Sequence, residues 1–446
     1  VQREGPAVNA HANRGALPAD HPQRRLLAGE VHARPPAPVA IPGVVSCLAL
    51  FDADAEQVFE RVAQLAQRHE VAPPAPGGHA IVELPGLRLK CERHGEFCSL
   101  TFVRALAAPA TEPFPSAFEA LPTDWLAALP GRTLAAADIL LLPAPPEGSE
   151  APLLAQSFEA DAMAGSLVLD GAAAIYGDFV LRDGGRTRWL VLDREGMSRA
   201  RSARVVQRIA EIEIYRMAAL LAYPLARQAF PELERIEQRL AQIAAATAEL
   251  HLGDDSRQTQ QEERRLLDQL TRIAAELEHS VAATNLRFSA GEAYWNLVQA
   301  RVRELREQRI GDLRTIGGFL ARRLAPAMDS CAAAERRQEE LSARIERASA
   351  LLRTRVDVVR EEQNQQLLAA MERRSKLALR MQQTVEGLSV VVLTYYAVAL
   401  VGFAVRPLRG LWPGLATDWL VAGSIPIVAY LVWRGVHRLR LRLAGG

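Results

Sequence analysis

At 446 residues with a formal net charge of +1, the chain is too long for one simple core and too evenly charged for a general attraction to nucleic acid. Four cysteines (Cys47, Cys91, Cys98, Cys331) fit a reducing compartment better than a disulfide scaffold. The positive charge is nearly all arginine, with Lys90 and Lys376 the only lysines, which reads as compositional bias rather than phosphate recognition.

Residues 1–20 lack an apolar run and are expected to be a disordered lead-in, not a signal peptide. The stretch HPQRRLLAGEVHARPP (21–36) then gathers two histidines, a glutamate and three arginines before two prolines. On a strand Glu30 and His32 would share a face, which makes His21, Arg24, Glu30, His32 and Arg34 candidate site residues. An extended segment pinned by its charges accounts for the same pattern.

From about Pro42 the periods change. VVSCLALF reads as a buried strand, and AEQVFERVAQLAQRHEV as an amphipathic helix with Val58, Val62, Leu65 and Ala66 inward. AIVELPG and LRLKCERH alternate as strands, and CERHGEFC reads as a hairpin turning at His94-Gly95. In that register Cys91 and Cys98 face each other, and Glu92, Arg93 and His94 join the candidate polar cluster. The C-x2-H-x3-C spacing permits a zinc site but has no clear fourth ligand; paired small core residues are the other reading, so any metal stays unknown. ADILLLPAP reads as a short strand, and YGDFVLR-DGG-RTRWLVLD as a hairpin turning at Asp183 to Gly185. Irregular alternation up to about residue 196 predicts a mixed α/β, α+β-type domain whose sheet is covered on one side by helices. No phosphate-binding, nucleophile-elbow, zincin or C-x-x-C motif occurs, so no catalytic residue and no cofactor is assigned.

After Ser198 helical periodicity dominates. Residues 197–326 read as coiled-coil arms, with a helix from Leu233 to Leu252, caps at Asp254 and Asp255, a charged continuation from Arg301 to Gly311 and a bend at Gly317-Gly318. Residues 327–386 contain no glycine and no proline and predict one long stalk helix. Its stripe (Leu341, Ile345, Ala348, Leu352, Val356, Val359 and Gln363) steps at about 3.67 residues, close to an eleven-residue repeat. The stalk runs into GLSVVVLTYYAVALVGFAV (387–405), a loop at 406–418, a second apolar segment at 419–433 and a basic tail at 434–446. Two transmembrane helices are expected. The flanking arginines (Arg373, Arg374 and Arg380 with Lys376; Arg434, Arg438, Arg440 and Arg442) put both ends in the cytoplasm of a multi-pass inner-membrane protein.

HPQRRLLAGEVHARPP (21–36), CERHGEF (91–97), EIEIYRMAALLAYP (211–224), LLRTRVDV (351–358) and QQTVEGLSVVVLTYY (382–396) resemble domain-of-unknown-function family 3422, the uncharacterised membrane-anchored proteins, over nearly the whole chain. That family implies membrane attachment and brings no activity. A second likeness is architectural: the order of domain, rod and two membrane helices is similar to the CorA-type divalent-metal transporters. It implies a bacterial inner-membrane homo-oligomer, a pentamer, with the rod lining an ion path. The G-M-N signature of those transporters is absent, and the corresponding place reads GFAVRPLRG. In such a pore Gln382, Ser389 and Tyr396, spaced by seven, are the candidate lining residues; helix-pair hydrogen bonding is the other reading. Expected partners are membrane lipid and further copies of the chain. The competing reading is a non-conducting scaffold or sensor whose N-terminal domain binds a partner or small ligand. An enzyme would need His21, Glu30, His32, Arg34 and His94 to converge.

Overall fold

The computed structural model describes residues 21–24, 36–74, 78–109, 114–146, 148–182, 184–250, 257–405 and 417–443. The chain forms two compact units, Val1–Ala245 with Gln269–Arg347, and Ala246–Asp268 with Ala348–Gly446.

The first unit is organised by a sheet with nine described strands: β1 (Gly43–Phe51), β2 (His79–Leu84), β3 (Leu87–Arg93), β4 (Phe97–Ala105), β5 (Arg132–Pro143), β6 (Ala164–Val168), β7 (Ala173–Gly177), β8 (Thr187–Asp193) and β9 (Gln308–Arg309). Their order is β2-β3-β4-β1-β5-β8-β7-β6-β9. The β5–β8 pair is parallel and the other paired strands are antiparallel. β1 is buried along its whole length, as a near-continuous apolar strand must be when both sheet faces are covered. That corrects the expectation of helices on one side only.

One face packs on α1 (Ala55–Arg68), a short 3-10 turn at Ala117–Ala120, α2 (Thr123–Ala127) and α3 (Ala151–Ser157). Val58, Val62, Leu65 and Ala66 of α1 are buried as their spacing predicts, and Asp54 caps the helix by accepting from the Glu56 amide. Trp125 of α2 is fixed by its indole N–H, which donates to the Arg61 carbonyl at 2.8 Å. The opposite face carries Cys47, Ile139, Trp189 and Val191, which pack against Val205, Ile209 and Ile212 of α4 (Arg199–Leu220). The same core takes in Phe288 and Val298 of α6 (Arg257–Leu305), Leu320 of α7 (Ile316–Arg323) and Met328 of α8 (Ala325–Val405). The sheet unit therefore extends well beyond residue 196. The helix α5 (Tyr223–Glu249) joins that core through Ala226, with Tyr223, Leu225 and Phe230 packed against it, and Arg239 pairs with Glu276 of α6 at 2.5 Å. Ser280, Thr284 and Gln338 form a buried polar layer in which the Gln338 amide donates to both hydroxyls.

Two local readings change for identifiable reasons. The helix continues from Arg301 only to Leu305, where α6 stops, and Gln308–Arg309 pairs with β6 as an edge strand. Glu307 then places its carboxylate on the Gly317 amide at the start of α7 (2.9 Å) and on the Ser166 hydroxyl (2.8 Å), so the glycine pair begins a helix. The strand before β8 ends at Gly177 rather than at residue 182. There Asp178 is buried and accepts from the amides of Glu159 and Val180 and from Arg182, which takes the chain off the ladder. Asp183 lies outside the described residues.

Phe179 follows with φ of 56°, a conformation that strains a residue with a bulky side chain. Its ring is held between Phe319 (stacked, 4.6 Å) and Trp189 (edge-on, 5.1 Å), with the Arg216 guanidinium 5.2 Å away. Phe179→Ala loses those contacts and keeps the strain, whereas Phe179→Gly loses the contacts and relieves it. The glycine variant is therefore expected to be the more stable of the two by about 1 kcal/mol, read from thermal midpoints. The reverse order would mean that the left-handed backbone is not under tension.

In the second unit Arg355 donates to the carbonyls of Thr247 (3.1 Å) and Leu250 (2.8 Å), and Glu263 lies 3.6 Å from it. α8 ends at Val405 and contains an 18-residue window of mean hydropathy 2.2, none of it buried. Among the described residues it is the one helix long and apolar enough to cross a membrane, which corrects the expectation of two. The second segment lies in α9 (Thr417–Leu443), where Pro426 interrupts the pattern. Its apolar run, Trp419 to Trp433, is 15 residues between Asp418 and Arg434, short of the roughly 20 that a bilayer requires. Most of the intervening loop (406–416) lies outside the described residues.

Candidate functional site

In β3 and β4 the side chains alternate. Leu89, Cys91, Cys98, Leu100 and Phe102 face α1 and the 3-10 turn within one apolar cluster. Lys90, Glu92, Ser99, Thr101 and Val103 face the other way, toward α4. The register pairs Cys91 with Leu100 and Cys98 with Arg93. The cysteines are thus diagonal on one face rather than directly opposite. His94, continuing the Lys90–Glu92 side, lies off that face. This geometry separates the three residues of the zinc spacing, and no metal-ligand group occurs among the described residues. Burial pushes the Cys91 and Cys98 thiols up, keeping them protonated.

The polar face of β3 and β4 forms one wall of a cavity of about 260 Å³. The other wall comes from Gln207, Glu211 and Tyr215 of α4 and Arg301 of α6, with Pro36, Ala37 and Val39 at one side. Lys90 is only 3% exposed although it is a lysine in mid-strand, and its ammonium meets Glu92 at 2.9 Å. A charge removed this far from water is tolerated when it is paired. Across the cavity Arg301 forks between Glu211 and Glu304, and Gln207 donates to Glu211 at 2.8 Å. Burial works against the Arg301 charge, but Glu211 and Glu304 more than offset it and hold the guanidinium above its usual range. The hairpin between the strands fixes His94: its amide donates to the Phe97 carbonyl at 2.8 Å, its ring stacks on Phe97 at 4.3 Å, and Nε2 lies 3.0 Å from the Ser99 hydroxyl. Phe97 in turn stacks on Phe51 and meets Tyr215 edge-on.

The cavity therefore presents the Lys90–Glu92 pair, the Glu211 carboxylate with the Arg301 guanidinium, an imidazole, the hydroxyls of Ser99, Thr101 and Tyr215, and aromatic edges. Such a lining offers donors and acceptors in fixed positions and no net charge. It suits a small polar molecule, and its hydroxyl–imidazole contact is that of Ser99 with His94 at 3.0 Å.

Of the candidate residues in the sequence, the structure brings Glu92 and His94 into this cavity. Arg93 points from the other side of β3 and is exposed. His21 and Arg24 lie in an exposed turn, where His21 Nδ1 accepts from the Gln23 amide, and neither lines the cavity. Glu30, His32 and Arg34 lie outside the described residues, so their convergence with His94 does not enter the site. Lys90, Ser99, Thr101, Gln207, Glu211 and Arg301 were missed. A signal existed for the first: Lys90, Glu92 and His94 alternate along one strand, and a charged face on a strand with an apolar reverse face needs a polar lining opposite. Gln382, Ser389 and Tyr396 are exposed along α8. The Ser389 hydroxyl donates to the Val385 carbonyl of its own helix at 2.9 Å.

The family model described as Protein of unknown function (DUF3422) matches residues 19–443, nearly the whole chain, and the chain belongs to that family. No curated protein matches it. The likeness to CorA-type transporters finds no support in these comparisons.

Proposed function

We propose that this member of the DUF3422 family is a membrane-anchored binding protein whose sheet unit holds a small polar ligand between β3, β4, α4 and α6. The observation that carries the reading is the charged lining of the cavity, with Lys90 and Glu92 buried on the sheet and Glu211 and Arg301 half-buried on the helices. A fold does not place a lysine at 3% exposure beside a cavity for packing alone, since an apolar residue of similar size costs less. Its volume of about 260 Å³, equal to about nine waters at liquid density, suits a molecule of amino-acid or small-polyol size.

The anchor is the apolar end of α8. Arg373, Arg374, Lys376 and Arg380 precede it and favour the cytoplasmic side for the sheet unit. The reading is of a binder rather than an enzyme, because each charged group of the cavity is committed to a partner of opposite sign. Ion conduction gains no comparable support, since the Ser389 hydroxyl is taken up within its own helix.

The test is a thermal-shift screen of the detergent-solubilised full chain against zwitterionic amino acids, small amides and polyols. A ligand at a hundred times its dissociation constant adds about 2.7 kcal/mol, so a rise of several degrees is expected for at least one chemical group. The rise should vanish in Thr101→Leu, which fills the cavity. No shift from any compound, or a shift that persists in that variant, would remove the cavity from the function.

A further inference from the structure

The helix α8 leaves a long face without cover. Over 368–399 its charged residues fall only at certain positions of a seven-residue repeat, and one seam is free of them. The first core position of the repeat holds Leu368, Ser375, Gln382, Ser389 and Tyr396, and the second holds Met371, Ala378, Val385 and Val392. Leu368, Met371 and Val385 are more than 60% exposed. A single helix with such a seam has little to stabilise it in water. Over 387–396 the partly covered residues, Val390 and Thr394, lie on a different side of the helix; beyond it Ala397 to Ala399, Val401 and Gly402 are partly covered as well, Gly402 facing Val421 of α9.

We propose that this seam is covered by the same seam of a second copy of the chain, with the two helices parallel and in register. Three features favour a second copy over another occupant. The seam keeps one phase from the exposed part of α8 into its apolar window, so any partner must also run along both. Anchoring by that window points every copy the same way, which makes identical repeats coincide. Pairing in register also sets Glu372 opposite Leu367 and Arg374 opposite Leu379, so these charges meet no like charge. Ser375, Ala378 and Ser389 are small enough to let the two backbones approach closely.

Only the parallel direction rests on the membrane anchor, and the test separates the two ideas. Single cysteines are placed at Ser375→Cys, Ala378→Cys and Gln382→Cys on the seam, and at Arg373→Cys, Lys376→Cys and Arg380→Cys off it. They are oxidised with copper phenanthroline in the full chain in native membranes. Cys47, Cys91, Cys98 and Cys331 are buried, so the unmodified chain is the blank. Covalent dimer is expected at all three seam positions, at least tenfold above the other three. An antiparallel pair would cross-link at one crossing position only, and a foreign partner would give no dimer band. Either result, or equal yields at all six positions, overturns the proposal. Because these sites are exposed, the substitutions leave the fold intact, and ligand-induced thermal shifts on the same variants report the cavity independently.

Discussion

Glu92→Ala should destabilise the sheet unit by about 3 kcal/mol, and Lys90→Met/Glu92→Leu together should restore most of that loss. The argument is electrostatic. The Lys90 and Glu92 side chains are 4% and 12% exposed and lie 2.9 Å apart. Removing the carboxylate strands an ammonium where it is poorly hydrated, and breaking a buried pair from one side typically costs about 3–5 kcal/mol. The adjoining cavity admits water, so the lower end is expected. Replacing both groups removes the stranded charge, and apolar substitutes for buried pairs are commonly neutral or better. Thermal midpoints of the single and double variants, taken as a cycle, check it. Strictly additive losses would show that the pair is not coupled. The double variant also separates stability from function: it should fold and no longer respond to the ligand that stabilises the parent chain.

A second large effect is expected at Asp138. This residue of β5 is 3% exposed and accepts from the hydroxyls of Ser46 (2.5 Å) and Ser116 (2.7 Å), with Arg186 at 3.2 Å. The Ser46 hydroxyl also receives the Ala117 amide at 2.8 Å, so one carboxylate orders the whole approach to the 3-10 turn. Asp138→Ala leaves two buried hydroxyls and a guanidinium short of an acceptor, a loss of about 3 kcal/mol. The pH dependence has a definite sign. Burial raises the Asp138 pKa above its ordinary 3.8, in spite of the two hydroxyls and Arg186. The folded chain therefore binds this proton more tightly than the unfolded chain does. The resulting stability is fully present below 3.8 and is lost as pH rises through the folded pKa. Relative to Asp138→Asn, the parent chain should lose stability with increasing pH across that window. A difference that is flat, or that grows in favour of the parent, would contradict it.

Helix α1 was legible because four apolar residues at helical spacing can be buried only by a helix, and they are buried together. The long run without glycine or proline was legible for the same local reason, and it lies within the 81 residues of α8. Lys90 shows where local reading stops. Its sequence neighbours identify a strand, but which face meets α1 and which meets α4 depends on residues a hundred positions away. Glu211 and Arg301, 90 positions apart, meet only because α4 and α6 pack beside one another. Likewise, Gln308–Arg309 looks like the charged end of a helix until β6 supplies its ladder partners.

By itself, the amino-acid sequence determined family membership, the main strand and helix periods, the long helix and its apolar end. These are carried by spacing within a few turns, where backbone geometry and side-chain burial are coupled residue by residue. The tertiary structure decided that the sheet is covered on both faces, that Cys91 and His94 point apart, and that Lys90 and Glu92 look onto a cavity closed by Glu211 and Arg301. Those outcomes depend on which strand pairs with which and on what packs above them. Long-range burial sets both, and no local window contains it.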